Sequence, residues 1–262
     1  MLGSMTKKHS WEWFAIGKHP VAMDYFRLGV TTPLANAFAG WFESGYEILA
    51  GKNRPGSTIH SWRFWSRGVG KGSIACGVGR DSSDGRGRPY PLLIMGIGSI
   101  PGWEDNWDLL TFSCEDTWRH IEHIAAGRFS DLKQMEAELG RIKLPNADWS
   151  AFSDKRTNID GKDYIPEKNN MAHISADVEK GARALLTQHE FFVPINGDHG
   201  QDSLFVAGHM NCILKSTMKI IPSAVFMGGI PERSYLAIFS RSLNSSDFVR
   251  LWSVSAADRT DW

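Results

Sequence analysis

Strands interleaved with helices along the whole chain predict a sheet protein of the α/β or mixed α+β class. Three features carry that expectation. Short apolar runs at about 59–65, 73–79 and 91–98, bounded by turn residues, read as strands. Leu34, Phe38, Trp41 and Phe42 fall on one stripe at helical spacing. The stretch from about Trp107 to Ile142 reads as a long helical region with a break near Gly127.

Residues 11–16 read as a short strand, ended by Gly17-Lys18-His19-Pro20 and followed by Asp24-Tyr25-Phe26-Arg27. Thr32 supplies a hydroxyl cap, and Pro33 fits the first helical position, where its missing N–H is harmless. That helix is expected to stop at Gly51. A strand over 57–65, with Ile59 and Trp62 among its apolar positions, precedes the flexible turn Arg67-Gly68-Val69-Gly70-Lys71-Gly72. Residues 74–78 form the next strand. The polar, glycine-broken turn Ser82-Ser83-Asp84-Gly85-Arg86-Gly87-Arg88 then leads through Pro89, Tyr90 and Pro91 into a third strand. In that strand Tyr90, Leu92 and Ile94 face one side, and Leu93 and Met95 the other.

Further on, Asp131, Lys133, Glu136, Glu138 and Arg141 alternate charge at short helical spacings, as a solvated face does. Residues 145–170 are polar and read as a long loop or linker, and 173–189 as a helix. Residues 204–206 and 224–227 read as late strands, Gly228-Gly229 with Pro231 as a turn, and 248–252 as an amphipathic helix. No internal repeat is visible. Residues 1–10 are expected to be disordered or a tag remnant, and 11–262 to form one domain.

Charge and cysteines narrow the function classes. Twenty-nine basic residues balance 29 acidic ones among 262, which argues against a dedicated binder of nucleic acid or anionic membrane. No run of about 18 apolar residues spans a membrane, and the first residues lack the apolar core of a signal sequence. Cys76, Cys114 and Cys212 are widely spaced, as reduced thiols of a cytoplasmic protein are, and Cys76 sits in a core-like apolar run. The 11 tryptophans are more than this length leads one to expect: some anchor a core, and others suit an interface.

No pattern reaches an active-site signature. Gly68-Val69-Gly70-Lys71-Gly72-Ser73 misses the phosphate-loop spacing, with Trp65 at the first glycine position and Gly72 where Ser or Thr belongs. His120 and His123, three apart on a helix around Glu122, lack an obvious third ligand. Asp198-His199-Gly200-Gln201-Asp202 reads first as a loop. There is no Gly-x-Ser-x-Gly elbow, and Glu115 and Asp116 beside Cys114 oppose thiolate formation. The expectation is a protein without catalytic residues, metal or cofactor.

The chain does carry a resemblance. Phe14-Ala15-Ile16-Gly17-Lys18-His19-Pro20 followed by Asp24-Tyr25-Phe26 resembles the "FGKLP…GDF" signature of the type VI secretion-associated TagF (ImpM) family. Ser61-Trp62-Arg63-Phe64 resembles its "VWRF" strand. Gly77-Val78-Gly79, then Ser83-Asp84, Gly87-Arg88 and Tyr90-Pro91-Leu92 resemble its "GVLMPSVDRVGRYFPL" element, in the same order. Leu204-Phe205 and the segment from Phe226 to Pro231 resemble later parts. Gly85-Arg86 stands where the family has Arg-Val, and Met23 where it has glycine. The good match covers about residues 12–100.

The resemblance implies a three-layer α/β/α sandwich around a mixed central sheet. It also implies a cytoplasmic, non-enzymatic negative regulator of type VI secretion that contacts a forkhead-associated-domain scaffold protein after translation. Gly17, Lys18, Pro20, Asp24, Trp62, Ser83, Asp84, Gly87, Arg88, Tyr90 and Pro91 are its motif residues here, structural or interacting. Two other classes stay open. One is a small-molecule or nucleotide-binding enzyme using Lys18, Asp24, Asp84 and Arg88. The other is a structural scaffold of the secretion baseplate.

Overall fold

The computed structural model describes residues 11–51, 58–157, 178–183, 185–195, 203–218 and 220–254. Among the described residues eight strands form one open sheet in the order β2-β1-β5-β4-β3-β7-β8-β6. They are β1 (Glu12–Gly17), β2 (Phe26–Gly29), β3 (Ser61–Arg67), β4 (Ser73–Arg80), β5 (Leu92–Ser99), β6 (Glu190–Pro194), β7 (Ala224–Ile230) and β8 (Arg233–Phe239). The strands expected near 59–65, 73–79 and 91–98 are neighbours, as β3, β4 and β5.

The expected mixed sheet is not what forms: every pairing is antiparallel. The connections explain it. Residues 68–72 join β3 to β4, residues 81–91 join β4 to β5, and only Pro231-Glu232 separate β7 from β8. Parallel neighbours need a crossover of a dozen or more residues.

Alternation along each strand divides the core in two. Leu92, Ile94, Cys76 and Trp65 enter one cluster, while Leu93, Met95, Trp62 and Phe64 enter the other. On the first face lie a 3-10 helix (Trp103–Leu109), α2 (Leu110–Ser113), α3 (Glu115–Ala126), α4 (Leu132–Leu139) and, later in the chain, α6 (Ser203–Thr217). On the second lie α1 (Pro33–Ala50) and α7 (Ser245–Leu251). A short α5 (Trp149–Thr157) packs beside α2.

Local chemistry sets the helix starts. Thr32 caps α1, its Oγ1 accepting from Ala35 N–H at 3.1 Å, with Pro33 in the first turn. Asp131 caps α4 and Asn244 caps α7 with a capping box to Asp247. Glycine lets α1 and α7 touch: a Cβ on Gly45 would lie 2.4 Å from Cβ of Phe248.

Several expectations need correction. The long helix of 107–142 is broken into the 3-10 turn, α2, α3 and α4. Residues 204–206 are helical, because Ala207, Gly208, Asn211 and Leu214 continue the buried stripe of α6. Gly228 and Gly229 lie within β7 rather than in a turn. Of the long loop expected over 145–170, residues 145–148 are irregular, 149–157 are α5, and 158–170 lie outside the described residues, as do residues 1–10 and 198–202. Of the ten described tryptophans, Trp41, Trp62, Trp65, Trp103, Trp107, Trp118 and Trp252 are core. Among the described residues no helix is long and apolar enough to cross a membrane.

Candidate functional site

Sheet register brings the motif residues together. Gly17, the last residue of β1, pairs with Leu92, the first of β5, and with Phe26, the first of β2. Two hairpin loops therefore leave the same end of the sheet side by side: 18–25 from β1 to β2, and 81–91 from β4 to β5. Gly17 makes the approach possible. It holds φ +118°, and a Cβ there would stand 2.1 Å from the carbonyl oxygen of Pro91.

Asp84 is the hub of the second loop. It is 2% exposed. Its Oδ1 accepts from the backbone N–H groups of Arg86 and Arg88, each at 3.0 Å. Its Oδ2 accepts from Arg88 Nε at 2.7 Å and lies 3.1 Å from the Lys18 ammonium. The guanidinium of Arg88 reaches on to the Met23 carbonyl at 2.8 Å and to Asp24 Oδ2 at 3.1 Å. The Gly85 N–H donates to the Ala22 carbonyl at 2.7 Å, a Cβ on Gly85 would lie 3.0 Å from the Pro20 carbonyl oxygen, and Ser83 bridges Pro89. Gly87 turns the chain at φ +77°.

Burial pushes the Asp84 carboxyl up. The backbone N–H of Arg88, the Lys18 ammonium, the Arg86 N–H and the Arg88 guanidinium outweigh it and hold the group well below the usual carboxylate range. Asp24 is lowered by the Tyr25 N–H and then by Arg88. The Arg88 guanidinium is raised in turn, chiefly by Asp24 and then by Asp84. Two cations and two carboxylates thus satisfy one another.

The sequence reading places Lys18, Pro20, Asp24, Ser83, Asp84, Gly87, Arg88, Tyr90 and Pro91 in these loops or at their edges, and Gly17 beneath them. Trp62 is apart: it is wholly buried in the α1 face of β3, and its indole nitrogen has no partner among the described residues. Its role is packing.

Sequence reasoning missed the aromatic surface beside the network. Tyr25 meets Tyr90 edge-on with centroids 5.4 Å apart, and Tyr46 packs on Tyr90 at 4.7 Å. Tyr46 Oη also donates to the Pro89 carbonyl at 3.1 Å. Met23 and Tyr25 are 59% and 41% exposed. Tyr46 comes from α1, and no local pattern announces that α1 ends beside residue 90. An open depression of about 500 Å³ continues this surface between residues 21–26 and 130–133, with Asp24 in its wall.

The other singled-out groups lie elsewhere. His120 Nδ1 accepts from the Lys143 N–H at 3.2 Å on α3. Cys76 and Cys114 are buried neighbours, and burial pushes the Cys76 thiol up. Arg63, inside the "WRF" segment, grips α3: Nε and Nη2 donate to Glu122 at 2.7 and 2.8 Å, and Nη1 to Glu115 at 2.8 Å.

No family model matches the chain, and none of the curated proteins matches it. Among solved structures it is similar to PA0076 from Pseudomonas aeruginosa PAO1, at 13% identity over 92% of this chain and 93% of that one, with a TM-score of 0.47.

Proposed function

We propose that this chain is a TagF-like negative regulator of type VI secretion, acting in the cytoplasm through protein–protein contact with a forkhead-associated-domain scaffold. One observation supports an interaction role above the others. The motif residues converge on a turn whose charges neutralise one another, and that fixed turn carries an exposed aromatic surface. Rigid loops at a sheet end, with partly exposed tyrosines, suit recognition, because little side-chain freedom is lost on docking.

The enzyme alternative required Lys18, Asp24, Asp84 and Arg88 to converge around a deep open pocket. They converge, but on each other, and only Asp24 borders the neighbouring depression. That pairing favours the interaction reading. Regulation then follows by mass action: a repressor bound to its scaffold withdraws it from assembly in proportion to free repressor over the dissociation constant.

The test is export of the secreted tube protein from a bacterium that carries this chain. Overproduction is expected to lower export without lowering the amounts of secretion proteins, and deletion to raise it under silent conditions. Affinity purification is expected to recover the scaffold. Export that ignores both changes sinks the regulatory assignment.

A further inference from the structure

Tyr46 lies on α1 between two glutamates, Glu43 one turn before it and Glu47 next to it. Glu43 and Glu47 are four residues apart, so both project from neighbouring positions on one helix face. Both are exposed, and among the described residues neither has an ion-pair partner. Like charges at this spacing are mildly unfavourable in a helix, so they do nothing for α1. Both also act electrostatically on Tyr90, whose hydroxyl is pushed up by burial first and then by Tyr25, Glu43 and Glu47.

In the neighbouring loops Lys18 and Arg88 are neutralised by Asp84 and Asp24, and Arg86 is exposed. Beside the three rings, on α1, stand the carboxylates of Glu43 and Glu47. Aromatic faces attract cations through their quadrupole, and guanidinium stacks on them better than ammonium does. Met23 adds an exposed apolar neighbour for the methylene stem of a long cationic side chain.

We propose that the surface of Tyr25, Tyr90 and Tyr46, rimmed by Glu43 and Glu47, docks an arginine-bearing segment of the partner protein. The proposal rests on the interaction reading above and names the chemistry of the partner. The arginine side chain lies against the ring cluster while its charge answers the two carboxylates. The network around Asp84 holds Tyr90 and the 18–25 loop in place, so that the rings are set before the partner arrives.

The probe is an acetylated, amidated peptide of three Gly-Arg repeats, titrated into the full chain with the tyrosine ring signals followed by NMR. The rings of Tyr25, Tyr46 and Tyr90 are expected to shift, and the shifts to fade at about 0.5 M salt. The double variant Glu43→Gln/Glu47→Gln is expected to bind about tenfold more weakly with an unchanged melting temperature. Rings that do not move overturn the proposal. So does equal binding by the double variant, or by a peptide of three Gly-Glu repeats. Failure of the secretion assay would sink the regulatory assignment, whereas ring shifts in this titration would still place an arginine site on the surface.

Discussion

Asp84 and Arg88 are joined from both ends. Arg88 Nε and N–H donate to the Asp84 carboxylate at 2.7 and 3.0 Å, while the Asp84 N–H donates to the Arg88 carbonyl at 3.2 Å. Removing the carboxylate leaves Lys18 without its ion pair, leaves Arg88 with Asp24 and the Met23 carbonyl alone, and frees two backbone N–H groups. Asp84→Ala is therefore expected to lower the melting temperature more than Arg88→Met does. Adding Arg88→Met to Asp84→Ala should cost less than the sum of the single changes. Equal thermal stability of the wild type, Asp84→Ala and the double variant sinks the structural role.

The same carboxylate sets an acid limit. Its folded pKa lies below the ordinary aspartate value of about 3.9. The unfolded chain thus takes up the proton first as pH falls. The contribution is complete above about pH 4 and declines below it, towards the lower folded value. Melting curves of wild type and Asp84→Asn are expected to differ most above pH 4 and to converge as the acid range is entered. A gap that is constant from pH 6 to pH 3 contradicts this.

His19 gives a second pH dependence, at milder acidity. The ring is 1% exposed, packs 5.7 Å from Phe129, and accepts the Val21 N–H on Nδ1 at 3.2 Å. Burial, and then Arg80, lower its pKa. Neutral His19 is thus the folded form; its contribution is complete above the unfolded value of about 6.5 and is lost as pH falls below that. His19→Asn keeps an acceptor without titrating. It is expected to flatten the stability profile between about pH 6.5 and 5, read by thermal melts across that range.

Glycine substitutions separate backbone need from packing. Gly40 has no atom within 4 Å of a built Cβ, so Gly40→Ala is expected to stabilise α1 by about 0.5–1 kcal/mol. Gly45→Ala, in the same helix, drives a methyl into Phe248 and should cost about 1–3 kcal/mol. Gly17→Ala meets both a positive φ and the Pro91 carbonyl, and should cost at least ~2 kcal/mol. Denaturant melts at constant m give all three. Opposite signs for Gly40 and Gly45 are the decisive outcome.

Much of the sheet was legible, because Trp62 to Trp65, Ile74 to Val78 and Leu92 to Met95 carry apolar side chains on both faces of a buried sheet. β2 was not, since four residues with one buried position show no alternation. Leu204-Phe205-Val206 misled because a short apolar run fits either period, and only the spacing of Ala207, Asn211 and Leu214 decides it. The Asp84–Arg88 pair was legible from the turn itself, being four residues apart. Its link to Lys18 and Asp24 rests on the β1–β5 register, which only the folded sheet shows. The tryptophan excess was divided between core and interface, and most of the described tryptophans are core. The exposed surface is instead built from tyrosines far apart in the chain, Tyr25 and Tyr46 both meeting at Tyr90, and no local pattern announces such a meeting.

The aromatic surface and the charged network should separate in function. Tyr25 and Met23 are exposed and make no hydrogen bond through their side chains to the Asp84 network, which uses only the Met23 carbonyl. Met23→Glu with Tyr25→Ala is therefore expected to change the melting temperature by no more than a few degrees, as surface substitutions do. The same pair removes an apolar neighbour and one ring of the stack; the new carboxylate draws a cation but gives it no ring face to lie on. Truncating an aromatic anchor at the centre of an interface costs about 2 kcal/mol or more, roughly thirtyfold in affinity. In cells producing this double variant at wild-type level, repression of export is expected to fail, and recovery of the scaffold in affinity purification to drop. Asp84→Asn provides the contrast: it should weaken repression only alongside a lower melting temperature, because it acts by loosening the turn. Normal repression by a folded Met23→Glu/Tyr25→Ala protein would move the interaction surface elsewhere on the fold.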